Sequence, residues 1–253
     1  MKSGMNRPVH LKYLDAVCGL LEHFEQTQQN AVSSAAEHVS RALTGGGVVR
    51  CAGMGHGVDG DFINRAGGLA AVQPFKFDFS LNEPLPECLR NRPQEQPFDR
   101  EIETVRFAVR ASRLKRGDVV LIGSVSGRNR APVELALCCR ERGVVVIGFT
   151  SLAYTARVTP LHPSGKKLAD ASDVVVDIGV PYGDAAVEIP GIPEKMLPLS
   201  GVAMTIAGWM IWGAVMEKMA ASGNPPTVFI SINREDGKAF YDTSVAQYNR
   251  RGY

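Results

Sequence analysis

The sequence predicts an α/β protein built on a parallel, doubly wound sheet, and three observations carry that expectation. Residues 48–52, 119–123, 144–149 and 174–178 are short, mainly apolar runs without alternation, the mark of strands covered on both faces. Helix-like periodicity fills most of the intervals between them, an order that returns each strand in the same direction. Two of the runs end in glycine-rich turns that open helices: Gly53-Met54-Gly55-His56-Gly57 after the first, and Ser124-Val125-Ser126-Gly127-Arg128-Asn129 after the run at 119–123.

Taken in order, Leu11, Leu14, Val17, Leu21 and Phe24, then Val32, Ala35, Val39 and Leu43, recur at helical spacing and predict one or two long helices before the first strand. Gly45, Gly46 and Gly47 close them. After the first turn, 58–65 reads as a helix and 69–74 as a strand. Residues 76–99 carry Pro84, Pro86, Pro93 and Pro97 with little periodicity, which predicts a long ordered loop or lid; such loops in compact domains usually serve function. A helix is expected over 100–114 and another over 131–142, where Pro132 suits a first turn because a missing N–H costs nothing there. The uncharged stretch 199–216 sits at the short limit for a membrane span and is broken by Ser200, Thr205 and glycines, so the helix predicted over 199–221 is a buried one. Residues 227–232 are expected to pair at a sheet edge, and the tail from Asn233 is polar. With no linker-like stretch or internal repeat, residues 1–253 are expected to form one domain with a helical extension over 1–44.

Composition narrows the function classes. Twenty-eight basic against 26 acidic residues leave a formal charge of +2, so neither nucleic acid nor a membrane surface is an expected partner. The five cysteines, Cys18, Cys51, Cys88, Cys138 and Cys139, lack the paired spacing of a zinc site or redox motif and read as reduced thiols. The N-terminus lacks the apolar core of a secretory signal, and a cytoplasmic location is expected.

The turn at 124–129 is suited to an anion. A strand delivers the chain to its carboxyl end, where ligands sit in open α/β sheets. Gly127 lets the backbone approach closely, the first N–H groups of the following helix point outward with the positive end of its dipole, and Ser124 and Ser126 add hydroxyl donors. Arg128 is placed to pair with a phosphate as a fork.

These two turns resemble the fingerprint of the sugar isomerase (SIS) domain family, a Gly-x-Gly-x-Ser turn after the first strand and a Ser-x-Ser-Gly-x-[Thr/Asn] turn after a later one. The likeness extends through Arg65-Ala66-Gly67-Gly68-Leu69, Asn82-Glu83-Pro84-Leu85, Thr150-Ser151-Leu152, His162-Pro163-Ser164-Gly165-Lys166-Lys167-Leu168 and Gly183-Asp184-Ala185. Within the family the chain is most similar to the phosphoheptose-isomerase-like bacterial group, with Gly57 where that group usually has a serine. The resemblance implies a three-layer αβα sandwich on a five-stranded parallel sheet, flavodoxin- or Rossmann-like, preceded by a long N-terminal helix. It also implies a sugar phosphate as ligand, and a homodimer or homotetramer in which that helix packs on a second subunit.

Aldose–ketose isomerisation through an enediol needs a base that moves a proton between neighbouring carbons and groups that shuttle protons on the oxygens, and carboxylates and histidines suit both tasks. Glu83, in the lid-like segment, is the expected base, with His56 and His162 as further catalytic candidates. Gly53, Gly55, Ser124, Ser126, Gly127, Arg128, Asn129, Thr150, Ser151 and Asp184 are the expected substrate contacts. Some phosphoheptose isomerases use zinc, and His56, Asp61, Glu83 and His162 fall in predicted loops, but no His-x-x-x-His spacing supports a site; neither a metal nor another cofactor is expected. Two other readings fit the same scaffold: a non-catalytic sugar-phosphate sensor that regulates a partner, and a lyase or etherase using the same enediol-forming base.

Overall fold

The computed structural model describes residues 7–52, 58–93, 96 and 98–253. Of the one or two helices expected at the N-terminus, two form: α1 (Val9–Thr27) and α2 (Gln29–Thr44). Five strands follow: β1 (Val49–Ala52), β2 (Val72–Phe75), β3 (Val119–Gly123), β4 (Val145–Thr150) and β5 (Val174–Asp177). They make one sheet in the order β2-β1-β3-β4-β5. All four pairings are parallel, with Val49 opposite both Val72 and Val119, and Phe149 opposite both Gly123 and Val176. The chain leaves β1 toward β2 on one side and comes back to β3 on the other, and ligands of open α/β sheets bind at such a reversal, outside the carboxyl ends of the strands.

Successive strand residues point to opposite faces, so unbroken apolar strands must be covered twice. Val119 and Leu121 of β3 join one core with Leu43 of α2, Phe62 of α3 (Val58–Phe62) and Trp212 of α8 (Ser200–Ala221). Val120 and Ile122 join the other with Val105 of α4 (Arg100–Ala111), Val133 and Leu135 of α5 (Arg130–Glu141) and Leu168 of α7 (Leu168–Ala171). The result is the expected three-layer αβα arrangement. The apolar helix α8 is a core helix because it is buried on several sides, and at Gly208 a Cβ would lie 2.0 Å from the Phe62 ring. Among the described residues, no helix is long and apolar enough to cross a membrane.

Several elements differ from expectation. Strand β2 begins three residues later than predicted because Ala70 and its neighbours turn to meet the C-terminal segment. Gly67 N–H donates to the Phe229 carbonyl, Ala70 N–H to that of Thr227, and Leu69 bridges Val228 antiparallel, so residues 227–229 pair with the segment that leads into edge strand β2 and add no strand to the sheet. Among its described residues, the loop after β2 contains one 3-10 turn, Glu87–Leu89. A small hairpin, β6 (Ala185–Val187) with β7 (Met196–Pro198), follows β5. The polar tail folds as α9 (Gly237–Arg251), closed by Gly252 at φ +83°. The sheet's two outer strands are β2, which contains Pro74, and β5, where the Gln28 side chain accepts from the Asp177 N–H at 2.9 Å.

Candidate functional site

Strand β3 ends at Gly123, and the segment 124–129 carries the chain into α5. Gly127 holds φ +63°, and a Cβ there would lie 2.9 Å from Thr150 Oγ1 and 3.2 Å from Thr155 Oγ1. Only glycine takes that conformation without cost and leaves room for both hydroxyls.

Every carbonyl of the turn is engaged from behind. That of Ser124 accepts from Gly127 N–H, that of Val125 from Ser151 N–H and Thr150 Oγ1, and that of Ser126 from Thr155 Oγ1. The Gly127 carbonyl accepts from Leu168 N–H at 2.8 Å and the Arg128 carbonyl from Leu161 N–H at 3.0 Å. By contrast, the N–H groups of Val125, Ser126, Arg128 and Asn129 and the hydroxyls of Ser124 and Ser126 have no hydrogen-bond partner among the described residues. With its acceptors tied to the scaffold and donors left over, at the positive end of the α5 dipole, the turn has the form of an anion-binding nest. Arg128 Nε is buried without a partner, and the Asn129 side chain is exposed.

The other predicted site residues are distributed differently. Gly53, Gly55 and His56 lie outside the described residues, as does Gly57. Thr150 and Ser151 end β4 beside the turn, yet their hydroxyls are spent internally: Thr150 Oγ1 donates to Val125, and Ser151 Oγ donates to the Val180 carbonyl at 2.6 Å while accepting from Tyr154 N–H at the start of α6 (Leu152–Thr155). Asp184, at φ +66°, accepts from the N–H groups of Leu199 and Ser200 and from Ser200 Oγ, and so caps α8. Glu83 is exposed on the loop after β2. Asp61 sits in α3 and accepts from Trp209 Nε1–H at 3.3 Å beside Arg65.

His162 is not at the turn. It is buried against α5, with Nε2 2.7 Å from Glu134 Oε2 and Nδ1 2.7 Å from Ser164 Oγ. Glu134 also accepts from Arg106 Nε at 2.6 Å and from the Cys138 thiol. Burial pushes the Glu134 carboxyl up, but the bonds from Arg106, His162 and Cys138 outweigh it and hold the group below its ordinary range. Burial pushes the thiols of Cys138 and Cys139 up to about 12, with the Glu134 carboxylate adding to it at Cys138, so neither is a ready nucleophile.

Sequence reasoning missed Thr155, whose hydroxyl braces the turn, and Glu134. A carboxylate between Val133 and Leu135 on an apolar helix face was the readable signal for Glu134, since an acid there must find partners. Nothing local announces Glu101, whose carboxylate accepts from Ala131 N–H in the first turn of α5 at 3.0 Å, or the Asp99–Arg130 ion pair beside it.

The SIS domain profile matches residues 12–151, from α1 through the nest to the end of β4. A UPF0309 protein of Listeria monocytogenes serotype 4b is 32% identical over 241 residues, covering 94% of this chain and 95% of the relative. A UPF0309 protein of Caldanaerobacter subterraneus subsp. tengcongensis is 30% identical over 247 residues, covering 94% and 97%. Among solved structures, phosphoheptose isomerase from Neisseria gonorrhoeae is similar at 17% identity, covering 81% of this chain and 95% of that one, with a TM-score of 0.49. Since the SIS profile spans more than half of the chain and takes in the strand, nest and helix just described, the chain belongs to the SIS domain family.

Proposed function

We propose that the protein binds a sugar phosphate, with the phosphate on the turn 124–129, and interconverts its aldose and ketose forms through an enediol. The observation that carries the binding half is the polarity of the turn: its carbonyls are tied back and its N–H and hydroxyl donors left over, the arrangement a phosphate dianion requires. Membership of the SIS domain family supports the sugar as the rest of the ligand.

For the chemical half, Glu83 is the proposed base. Its loop follows β2, the neighbour of β1, and holds Phe79, Leu81 and Leu85 exposed in the single chain. Closure of this loop over the crevice, or its docking against a second subunit, would bring the carboxylate to the substrate and cover those side chains. Glu83 then takes the proton from the carbon beside the carbonyl and returns it to the neighbouring carbon, while His56 serves the oxygens.

A binding-only reading has its own observation. Thr150, Ser151, Asp184 and His162, four of the polar groups expected at the ligand, are engaged in structural hydrogen bonds. A thermal-shift screen of sugar phosphates, followed by proton exchange of each binder in deuterated water, separates the readings. Isomerisation predicts exchange at C1 or C2 of a binder; stabilisation without exchange selects the sensor; no stabilisation by any sugar phosphate rejects both.

A further inference from the structure

We propose that Ser164, His162 and Glu134 form a second nucleophilic centre, separate from the nest, that takes an acyl group from a small anionic ester onto Ser164 and passes it to water. This goes beyond the sugar-phosphate reading and does not depend on it.

The hydrogen-bond pattern fits a neutral ring with its proton on Nε2. Ser164 N–H donates to His162 Nδ1 at 3.1 Å, so Nδ1 is an acceptor and the ring proton lies on Nε2, facing Glu134 Oε2 at 2.7 Å. The Ser164 hydroxyl, closer at 2.7 Å, shares the single Nδ1 lone pair with that N–H and donates to it. The order is therefore hydroxyl, imidazole, carboxylate, the relation in which a serine is activated by a base that an acid orients. The ring nitrogens are used in the opposite sense from the serine proteases, and either nitrogen of an imidazole can serve as base.

The surroundings differ from those of a mere latch. His162 and Glu134 are 6% and 4% exposed, whereas Ser164 is exposed and faces a groove of about 580 Å³. Glu134 is held ionised by Arg106 and would stabilise the imidazolium formed during attack. Lys166 N–H donates to Ser164 Oγ, favouring charge on that oxygen. Besides Glu141 and Arg106, the groove is lined by apolar Val109 and Leu137 and by Arg110 and Arg142, neither of which pairs with a carboxylate among the described residues. An acyl chain fits the former and a negative charge the latter. In the reaction, Oγ bonds to the ester carbonyl carbon, the hydroxyl proton passes to Nδ1, and the ester C–O bond breaks as the alcohol leaves with that proton. Water then attacks the acyl-serine by the same route, releasing the acid and restoring the hydroxyl.

A fluorophosphonate reagent tests the centre directly, because attack by an activated serine forms a P–O bond and expels fluoride. The expected result is one adduct, mapped to Ser164 by peptide mass spectrometry, absent in Ser164→Ala and slowed at least tenfold in His162→Gln protein that still shows a cooperative melt. Absence of an adduct on Ser164 in the unmodified protein overturns the proposal, and so does equal labelling in folded His162→Gln. Should His162→Gln fail to fold, hydrolysis of 4-nitrophenyl hemisuccinate decides. Turnover lost in Ser164→Ala protein that still shows a cooperative melt supports the centre, and unchanged turnover rejects it.

Discussion

The Thr155 hydroxyl donates to the Ser126 carbonyl at 3.0 Å and lies 3.2 Å from the Thr150 hydroxyl. Through this pair the end of β4 and the one-turn helix α6 hold the Ser126 carbonyl away from the ligand side of the nest. Thr155→Val keeps the shape and removes the donor. It should lower stability by about 0.5 to 1.5 kcal/mol, the net worth of one hydrogen bond, and should weaken sugar-phosphate affinity alongside. Gly127→Ala should cost more, since a left-handed alanine adds roughly 1 to 2 kcal/mol before its contact with Thr150 is counted. Chemical denaturation of both variants checks the order.

Ser124→Ala with Ser126→Ala should leave stability nearly unchanged, because neither hydroxyl has a partner within the described chain. The double variant should lose roughly 2 to 3 kcal/mol of sugar-phosphate affinity at about 1 to 1.5 per lost bond. Calorimetry showing unchanged affinity would remove the nest from the binding site.

Much of this arrangement is readable in the sequence, and the part that is not has a physical cause. Strands β3 and β4 are legible because burial on both faces leaves no room for polar residues, and Gly127 because a turn that tight admits little else. Helix α9 is harder to read because its apolar stripe, Tyr241, Val245 and Tyr248, is only two turns long and sits among polar residues, and the helix covers little core, with only Gly237 and Ser244 buried on it. Asp184 and His162 fall in motif-like loops, but what each touches lies 16 and 28 residues away, at Ser200 and Glu134. Residue type marks such groups as important without saying whether they hold a ligand or a helix end.

Glu83→Gln should keep sugar-phosphate binding and abolish exchange of the C1 or C2 hydrogen with solvent, since the amide preserves size and hydrogen bonding but cannot take the proton. Exchange at the parent rate in this variant moves the base elsewhere, first to His56.

Leu14 and Leu21 on α1 are 54% and 48% exposed, on the face that adjoins the one carrying buried Leu20 and Phe24. They are expected to meet a second subunit, each contributing about 1 kcal/mol for half-burial of a leucine. Light scattering should show a dimer or larger assembly for the parent chain and a monomer for Leu14→Glu with Leu21→Glu. A parent monomer at micromolar concentration refutes the interface.

Acid should weaken the fold through Glu134. Its pKa is lowered in the folded state, so its stabilisation is complete above the ordinary carboxylate range and lost as pH falls through and below that range. Glu134→Gln should cost roughly 1.5 to 3 kcal/mol at neutral pH, the worth of a hydrogen bond to a charged group, and should flatten the acid limb of the stability curve. An unaltered acid limb measured by urea titration contradicts this.

The sheet's two margins have a further consequence for the protein in a crowded cell. An open strand invites a foreign strand to add on, and chains that add repeatedly grow into fibres. Here Pro74 takes one N–H out of β2, and the Gln28 side chain already occupies the Asp177 N–H on β5. A stray strand arriving at either side finds an interrupted row of donors, so polymerisation by sheet extension is blunted at both ends by one imino acid and one amide.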